Sequence, residues 1–299
     1  MADVSKIYTE STVLVLAHVV CIEAGESNIQ AAEAHACGLK NIIDGVGGLD
    51  SLRFQTLTNL YCCNLMIGFV QHPPKLFVIS EKWEKKVLVE ASKLEDICAS
   101  TKTSTLGSRF FKSAWWSDLH PVLKTTIRSL RKLILSHENT IKSGSKPFPT
   151  NGEYLILLAH HLFYLSGDTS LSPLEETLRL ALLVYTGSRV WSFQGMGCLK
   201  TLVGTLEKFL RPNIGLLRDK DPQFLLWTMF VASVASHGVS DGSWLIANIA
   251  DIANESSITD WRIARDTLSE YFYVFRMTDE PAKDIWETVR KQRKIRDMV

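Results

Sequence analysis

Strand signals are almost missing from this sequence. No Asn-Gly or Asp-Gly lies between runs of alternating apolar and polar residues, which argues against hairpins and sheets. Long apolar runs are missing too. The longest, Leu155 to Leu165, is interrupted by His160 and His161 and falls short of the roughly 18 residues that cross a bilayer, so no membrane association is expected. Thr12 to Ile22 has the apolar character of a signal-peptide core, but only Lys6 precedes it, against Asp3 and Glu10. No good small-residue cleavage site follows, and the segment reads as a helix. Charge of one sign is not in excess: 33 Lys and Arg face 32 Asp and Glu, a formal net charge of +1 that gives no global attraction to nucleic acid. None of the cysteines at 21, 37, 62, 63, 98 and 198 forms a C-x-x-C pair. Their spacing fits neither a zinc finger nor a binuclear cluster, so they read as reduced structural thiols of an intracellular protein. There is no self-similarity at 30 to 45 residues, which removes a helical solenoid.

What is present is helical periodicity. An apolar fraction of 46% with 22% charged residues describes a folded chain, long enough to bury roughly 75% of its unfolded surface. The fold expected is all-α, a multi-helix bundle forming one large domain over 1–299, with the 136–152 connection as its one candidate internal boundary. The pattern predicts helices over about 11–24, ended by Gly25, and over 29–44, with Ala32, His35, Leu39 and Ile42 or Ile43 on the stripe that faces a neighbour. A third should carry Leu49 to Phe69, and others Pro121 to Leu135 and Glu153 to Ser166. Two stretches read as exposed connections: the Ser/Thr-rich 100–108 and the Gly/Pro-interrupted 136–152. Ser172-Pro173-x-Glu175 is a capping box with proline in the first turn. Asp221-Pro222 repeats the cap-plus-proline arrangement before Phe224 to Ala235. Thr259 or Asp260 opens Trp261 to Phe275, and Thr278 to Pro281 opens a last helix.

The motifs of familiar chemistry are not assembled. Gly45, Gly47 and Gly48 lack the G-x-x-x-x-G-K-[ST] context of a phosphate loop, Gly195-x-Gly197 follows no strand, and there is no G-x-S-x-G. His160 and His161 are adjacent on a helix and therefore point about 100° apart, which prevents joint chelation. No catalytic residue, metal ligand or cofactor site is expected, and the chain does not read as an enzyme. Glu175 and Glu176 serve the first turn of their helix, where the dipole favours negative charge. Arg179, four residues after Glu175 in an apolar helix, reads as an i, i+4 ion pair or as a partly buried structural arginine. Near the C-terminal end, Arg290, Lys291, Arg293, Lys294 and Arg296 put five cations in seven residues. The run reads as a solvated helix end, with nuclear import or nucleic-acid contact as the functional alternative. Trp191, Phe193, Trp227, Phe230 and Trp244 offer aromatic surface for core packing. The rival reading makes them the walls of an apolar ligand pocket with His160, His161 or Arg179 converging on it, as in a small-molecule receptor or enzyme.

Three blocks carry a resemblance by their order. They are Ala34-His35-x-x-Gly38-Leu39 with Gly47-Gly48-Leu49-x-x-Leu52, then Ser172 to Leu183, then Phe224 to Ala235. Together they resemble the fungal-specific transcription factor domain, over about Leu14 to Trp286. The resemblance implies a helical regulatory body acting in the nucleus through effectors or protein partners, possessing no catalytic residues. In such regulators this region usually follows a six-cysteine binuclear zinc cluster, and no such cluster occurs in these 299 residues. The expectation is a regulator without sequence-specific DNA binding of its own, acting through a partner such as a DNA-bound transcription regulator.

Overall fold

The computed structural model describes residues 9–71, 77–93, 105–143, 151–168, 171–189, 195–237, 242–274 and 279–296. Among them are thirteen α-helices and no strand, the all-α architecture expected from the periodicity. None of these helices is long and apolar enough to cross a membrane. In chain order they are α1 (Glu10–Gly25), α2 (Ile29–Gly45), α3 (Phe54–Val70), α4 (Glu81–Ser92), α5 (Ser108–Lys112), α6 (Pro121–Ser143) and α7 (Asn151–Asp168). Then follow α8 (Pro173–Arg189), α9 (Gly197–Lys220), α10 (Pro222–Ala235), α11 (Ser243–Glu255), α12 (Trp261–Ser269) and α13 (Asp279–Arg296). The chain forms two compact units. Unit 1 comprises Met1–Ser100, Lys132–Thr169 and Met196–Thr201; unit 2 comprises Thr101–Arg131, Ser170–Gly195 and Leu202–Val299. Of the expected 136–152 connection, 136–143 and 151–152 are helical and belong to unit 1, and 144–150 lie outside the described residues.

In unit 1, α1 packs on α2 and α3, while α3 and α4 pack on α7. Thr9 caps α1, its hydroxyl accepting from the Thr12 amide, and Val13, Ala17, Val20 and Ala24 form the buried stripe. On α2 the buried residues are Ala32, Ala36, Leu39 and Ile43, and His35 is exposed. The stripe expected from sequence was therefore off by one position in its second member. Alanine at 36 keeps the 4-3-4 step and lets the helices approach closely, while the imidazole stays in water. A single 3-10 turn, Leu49–Ser51, follows Gly47 and Gly48, both with positive φ. Leu52 and Arg53 are extended, so α3 starts at Phe54 rather than at the expected Leu49. Nearly every side of α3 is buried, and Gly68 allows the Phe163 ring of α7 to sit where a side chain would be: a Cβ there would lie 2.9 Å from two ring carbons.

Unit 2 is organised by α10, on which every residue from Phe224 to Ala235 is buried. It packs against α8, α11 and α13. The capping box of α8 is formed as expected: the Ser172 amide donates to Glu175 Oε2 at 3.0 Å and the Glu175 amide reaches the Ser172 hydroxyl at 3.4 Å. Glu175 also accepts from the His120 amide at 2.8 Å. Burial alone would raise the Glu175 pKa, but these amide and hydroxyl donors outweigh it and hold the carboxyl below its ordinary value. Asp260 caps α12, accepting from the Ile263 amide at 3.0 Å.

Two expected ends move. Helix α6 runs to Ser143, eight residues past the expected Leu135, because no glycine or proline interrupts it before Gly144. Helix α12 stops at Ser269 rather than Phe275. The carbonyls of Glu270 and Tyr271 instead accept from the amides of Arg109 and Gly107, both at 2.8 Å, which draws the chain off the helical path. Gly107 is in the left-handed region (φ +69°), and a Cβ there would meet the Phe272 ring at 2.8 Å.

Candidate functional site

One well-connected polar group of unit 2 is Asp221, the N-cap of α10. Its Oδ1 accepts from the Phe224 amide at 2.9 Å. Its Oδ2 accepts from the Trp115 indole at 3.0 Å and the Ser113 hydroxyl at 3.3 Å. The Tyr271 hydroxyl is 3.3 Å from both oxygens. Burial, and then the Asp221 charge, push the Tyr271 phenol well above its usual range, so it stays protonated and donates. One carboxylate thus joins the segment after α5, the start of α10 and the segment after α12.

Beside this junction lies a surface cleft of about 390 Å³, lined by Arg109, Gln223, Arg262, Ile263, Asp266, Thr267 and Glu270. Five of these residues come from α12 and its end, at spacings that place them on one face. The backbone bond from the Arg109 amide to Glu270 sets the Arg109 guanidinium 3.8 Å from the Glu270 carboxylate. The lining carries two guanidiniums and two carboxylates around Ile263, whose side chain is exposed. Such a surface complements a ligand segment that bears both signs of charge.

The residues singled out from sequence fall in several places. In unit 1, His160 is fully buried, its Nε2 3.2 Å from the Tyr61 carbonyl and its ring edge-on to that of Tyr61. Burial pulls its pKa down to about 4, so the imidazole is neutral. His161, on the next face of α7, is partly exposed and lies 3.4 Å from Glu84 Oε1. No group of three or more His, Cys, Asp or Glu among the described residues has the arrangement of a metal site.

In unit 2, Arg179 is 2% exposed and bonds bidentately to Glu176, both contacts at 2.7 Å. The pair is i, i+3 with Glu176, not i, i+4 with Glu175, because Glu175 is engaged in the capping box. Trp227 is fully buried in ring contact with Phe110, Tyr185, Phe224 and Tyr271, and its indole donates to the Phe272 carbonyl at 3.2 Å. Phe230 stacks on Trp261, and Arg211 lies over the Trp244 ring at 4.4 Å. Trp191 and Phe193 lie outside the described residues.

The C-terminal basic run falls on α13, whose Ala282, Ile285, Trp286 and Val289 are buried against α10 and α11. Arg290 pairs with Glu287 at 3.2 Å and Lys291 is exposed. Arg293 is turned inward, its Nη1 2.7 Å from the Ile258 carbonyl. The side chains of Lys294 and Arg296 lie outside the described residues. The cations of this run therefore differ in role, which their spacing alone does not reveal.

Sequence reading missed the Asp221 junction and the cleft. Asp221-Pro222 identified the cap, but Trp115 and Tyr271 stand 106 and 50 residues away, with no periodic signal linking them. Comparison with protein-family models, with curated proteins and with solved structures finds none that matches this chain.

Proposed function

We propose that this chain is a transcription-regulatory, protein-interaction domain of the nucleus, acting without a DNA-reading module of its own by binding a DNA-bound regulator. The observation that carries the reading is the order of the three blocks at Ala34 to Leu52, Ser172 to Leu183 and Phe224 to Ala235, which resembles the fungal-specific transcription factor domain. Helices α2, α8 and α10, which bear those blocks, supply buried faces to their units, in keeping with a helical regulatory body. In this reading the chain is not an enzyme and uses no metal or cofactor. The partner's contact surface is the cleft of unit 2, where Arg109, Arg262, Asp266 and Glu270 surround the exposed Ile263. A charged rim about an apolar residue suits a reversible protein interface. The basic run of α13 contributes phosphate contact at most, since recognition of bases needs side chains delivered into a groove.

The test is to fuse the 299-residue chain to an unrelated DNA-binding module upstream of a reporter gene in a fungal cell. Reporter output should change several-fold, and the double substitution Arg262→Glu with Asp266→Lys should abolish the change while leaving the helical circular dichroism intact. Output equal to that of the DNA-binding module alone would overturn the reading.

A further inference from the structure

Across Ser108 to Arg131 the sequence carries five cations, Arg109, Lys112, Lys124, Arg128 and Arg131, against one carboxylate, Asp118. Arg109 is answered by Glu270. On α6, Lys124, Arg128 and Arg131 follow at i, i+4 and i+7. They form a single face about 10 Å long beside the buried Leu123, Ile127 and Leu130. Two aromatic rings lie against that face. Phe111 of α5 and Trp116 meet edge to face with their centroids 4.7 Å apart. The Arg128 guanidinium lies 5.3 Å from the centre of the Trp116 ring, and that of Arg131 5.9 Å from the centre of the Phe111 ring.

The contacts that position these cations are electrically neutral. Lys124 Nζ donates to the Ser117 carbonyl at 2.6 Å, Arg131 Nε donates to the Leu106 carbonyl at 2.7 Å, and Arg128 rests on an indole. Neutral partners fix a side chain without cancelling its charge. Among the described residues Lys112, Lys124 and Arg128 form no ion pair, and Lys112 and Arg128 are exposed. Asp118 accepts from the Ser117 hydroxyl at 2.9 Å, and Glu175 is taken up by its capping box and the His120 amide. Like charges gathered on one face repel one another, and an anionic partner removes that cost. Because ring contacts and carbonyl bonds already restrict these side chains, less freedom is lost when the partner arrives.

We infer that Lys112, Lys124 and Arg128, with Phe111 and Trp116, form a docking surface for an acidic segment of a partner protein, one in which Asp or Glu is interspersed with apolar side chains. The carboxylates pair with the cations, and the apolar side chains cover what the half-buried Phe111 and Trp116 leave exposed. Nucleic acid suits this surface less well. Each ring already carries a guanidinium, so neither is an open platform for a base. None of these five residues lines the cleft around Ile263, and the surface does not depend on a role in transcription.

The experiment titrates the folded full chain into a fluorescein-labelled synthetic peptide of Glu, Asp, Leu and Phe and, separately, into a single-stranded oligonucleotide of equal charge, following anisotropy at physiological salt. The peptide should bind more tightly than the oligonucleotide, and its affinity should fall as salt is raised. Lys112→Gln with Arg128→Gln should weaken peptide binding about tenfold. Arg290→Gln with Lys291→Gln, which removes the same charge from α13, should change it by less than about twofold. Folding of each variant is checked by circular dichroism. In the unsubstituted protein, bound peptide should protect Lys112 and Lys124 from acetylation by acetic anhydride and leave Lys291 reactive, a readout that needs no variant. Absence of peptide binding, equal losses in the two pairs of substitutions, tighter binding of the oligonucleotide, or acetylation of Lys112 and Lys124 unchanged by the peptide would overturn the inference.

Discussion

The ring Nε2 of His160 stands 3.2 Å from the main-chain oxygen of Tyr61, joining α7 to α3 across 99 residues of sequence. A carbonyl only accepts, so Nε2 carries the hydrogen and Nδ1 is bare; Nδ1 finds no hydrogen-bond partner among the described residues. The histidine is thus fixed as one neutral tautomer in an apolar surrounding.

Acid should weaken the fold through this residue. Above about pH 6.5, the ordinary histidine value, His160 is neutral in both the folded and the unfolded chain and contributes no pH dependence. As pH falls from there toward about 4, the unfolded chain takes up a proton that the folded chain refuses, and stability drops by about 3 kcal/mol in all. Urea unfolding of the parent and of His160→Gln between pH 7 and 4.5 checks this. The parent should lose stability more steeply, and parallel slopes would refute it.

Gly68 is a second test of packing. Helix propensity alone would favour Gly68→Ala by up to about 1 kcal/mol. The Phe163 ring carbons 2.9 Å from the new Cβ reverse that sign, and the variant should lose about 1–3 kcal/mol. Adding Phe163→Leu should return part of the loss as a favourable coupling in a double-mutant cycle.

Asp221→Ala should cost more than a lost cap, since it strands the Trp115 indole and the Tyr271 phenol as well as the Phe224 amide, while the Ser113 hydroxyl keeps the Arg109 carbonyl at 2.9 Å. A loss of about 2–4 kcal/mol is expected from the cap and the stranded donors together. Asp221→Asn, which keeps one acceptor oxygen, should lose less. Denaturation midpoints for the two variants decide the order.

On α13 the cations should separate by role. Arg290→Gln and Lys291→Gln should change stability by less than about 0.5 kcal/mol, as exposed charges do. Arg293→Gln should cost about 1–3 kcal/mol through the lost bond to the Ile258 carbonyl. Any retention of the parent chain on DNA should be salt-sensitive and vanish in the Arg290→Gln/Lys291→Gln pair. A sharp motif selected by the purified chain at physiological salt would contradict this.

Legibility from sequence followed the range of the forces involved. Caps were readable because Ser172 and Glu175, or Asp221 and Pro222, act on amides within one turn. Existence and class of nine helices were readable because the apolar periodicity is local, whereas α4, α5, α9 and α11 were not among those expected. Helix ends were less so. The last turns of α6 persist for want of a breaker, and α12 is cut short by amides of Gly107 and Arg109, more than 150 residues earlier. The face of α2 was misread by one position because His35 and Ala36 fit a helical stripe equally well until the neighbour's distance decides. The cleft around Ile263 was not legible at all, since Arg109 and Gln223 reach it only through tertiary contacts.

The Asp221 junction also sets a timetable for biosynthesis. Ser113 and Trp115 leave the ribosome first, Asp221 follows about a hundred residues later, and Tyr271 emerges last, 158 positions after Ser113. At about 5–20 residues per second, that interval is about 8–30 s. Until Phe224 and Trp227 are made, Phe110 and Trp115 have only each other among the rings that contact them in the finished chain, and Tyr271 and Phe272 come last. A nascent segment so exposed is a natural substrate for ribosome-associated chaperones, and its protection from a protease during translation should appear only once Tyr271 has been made.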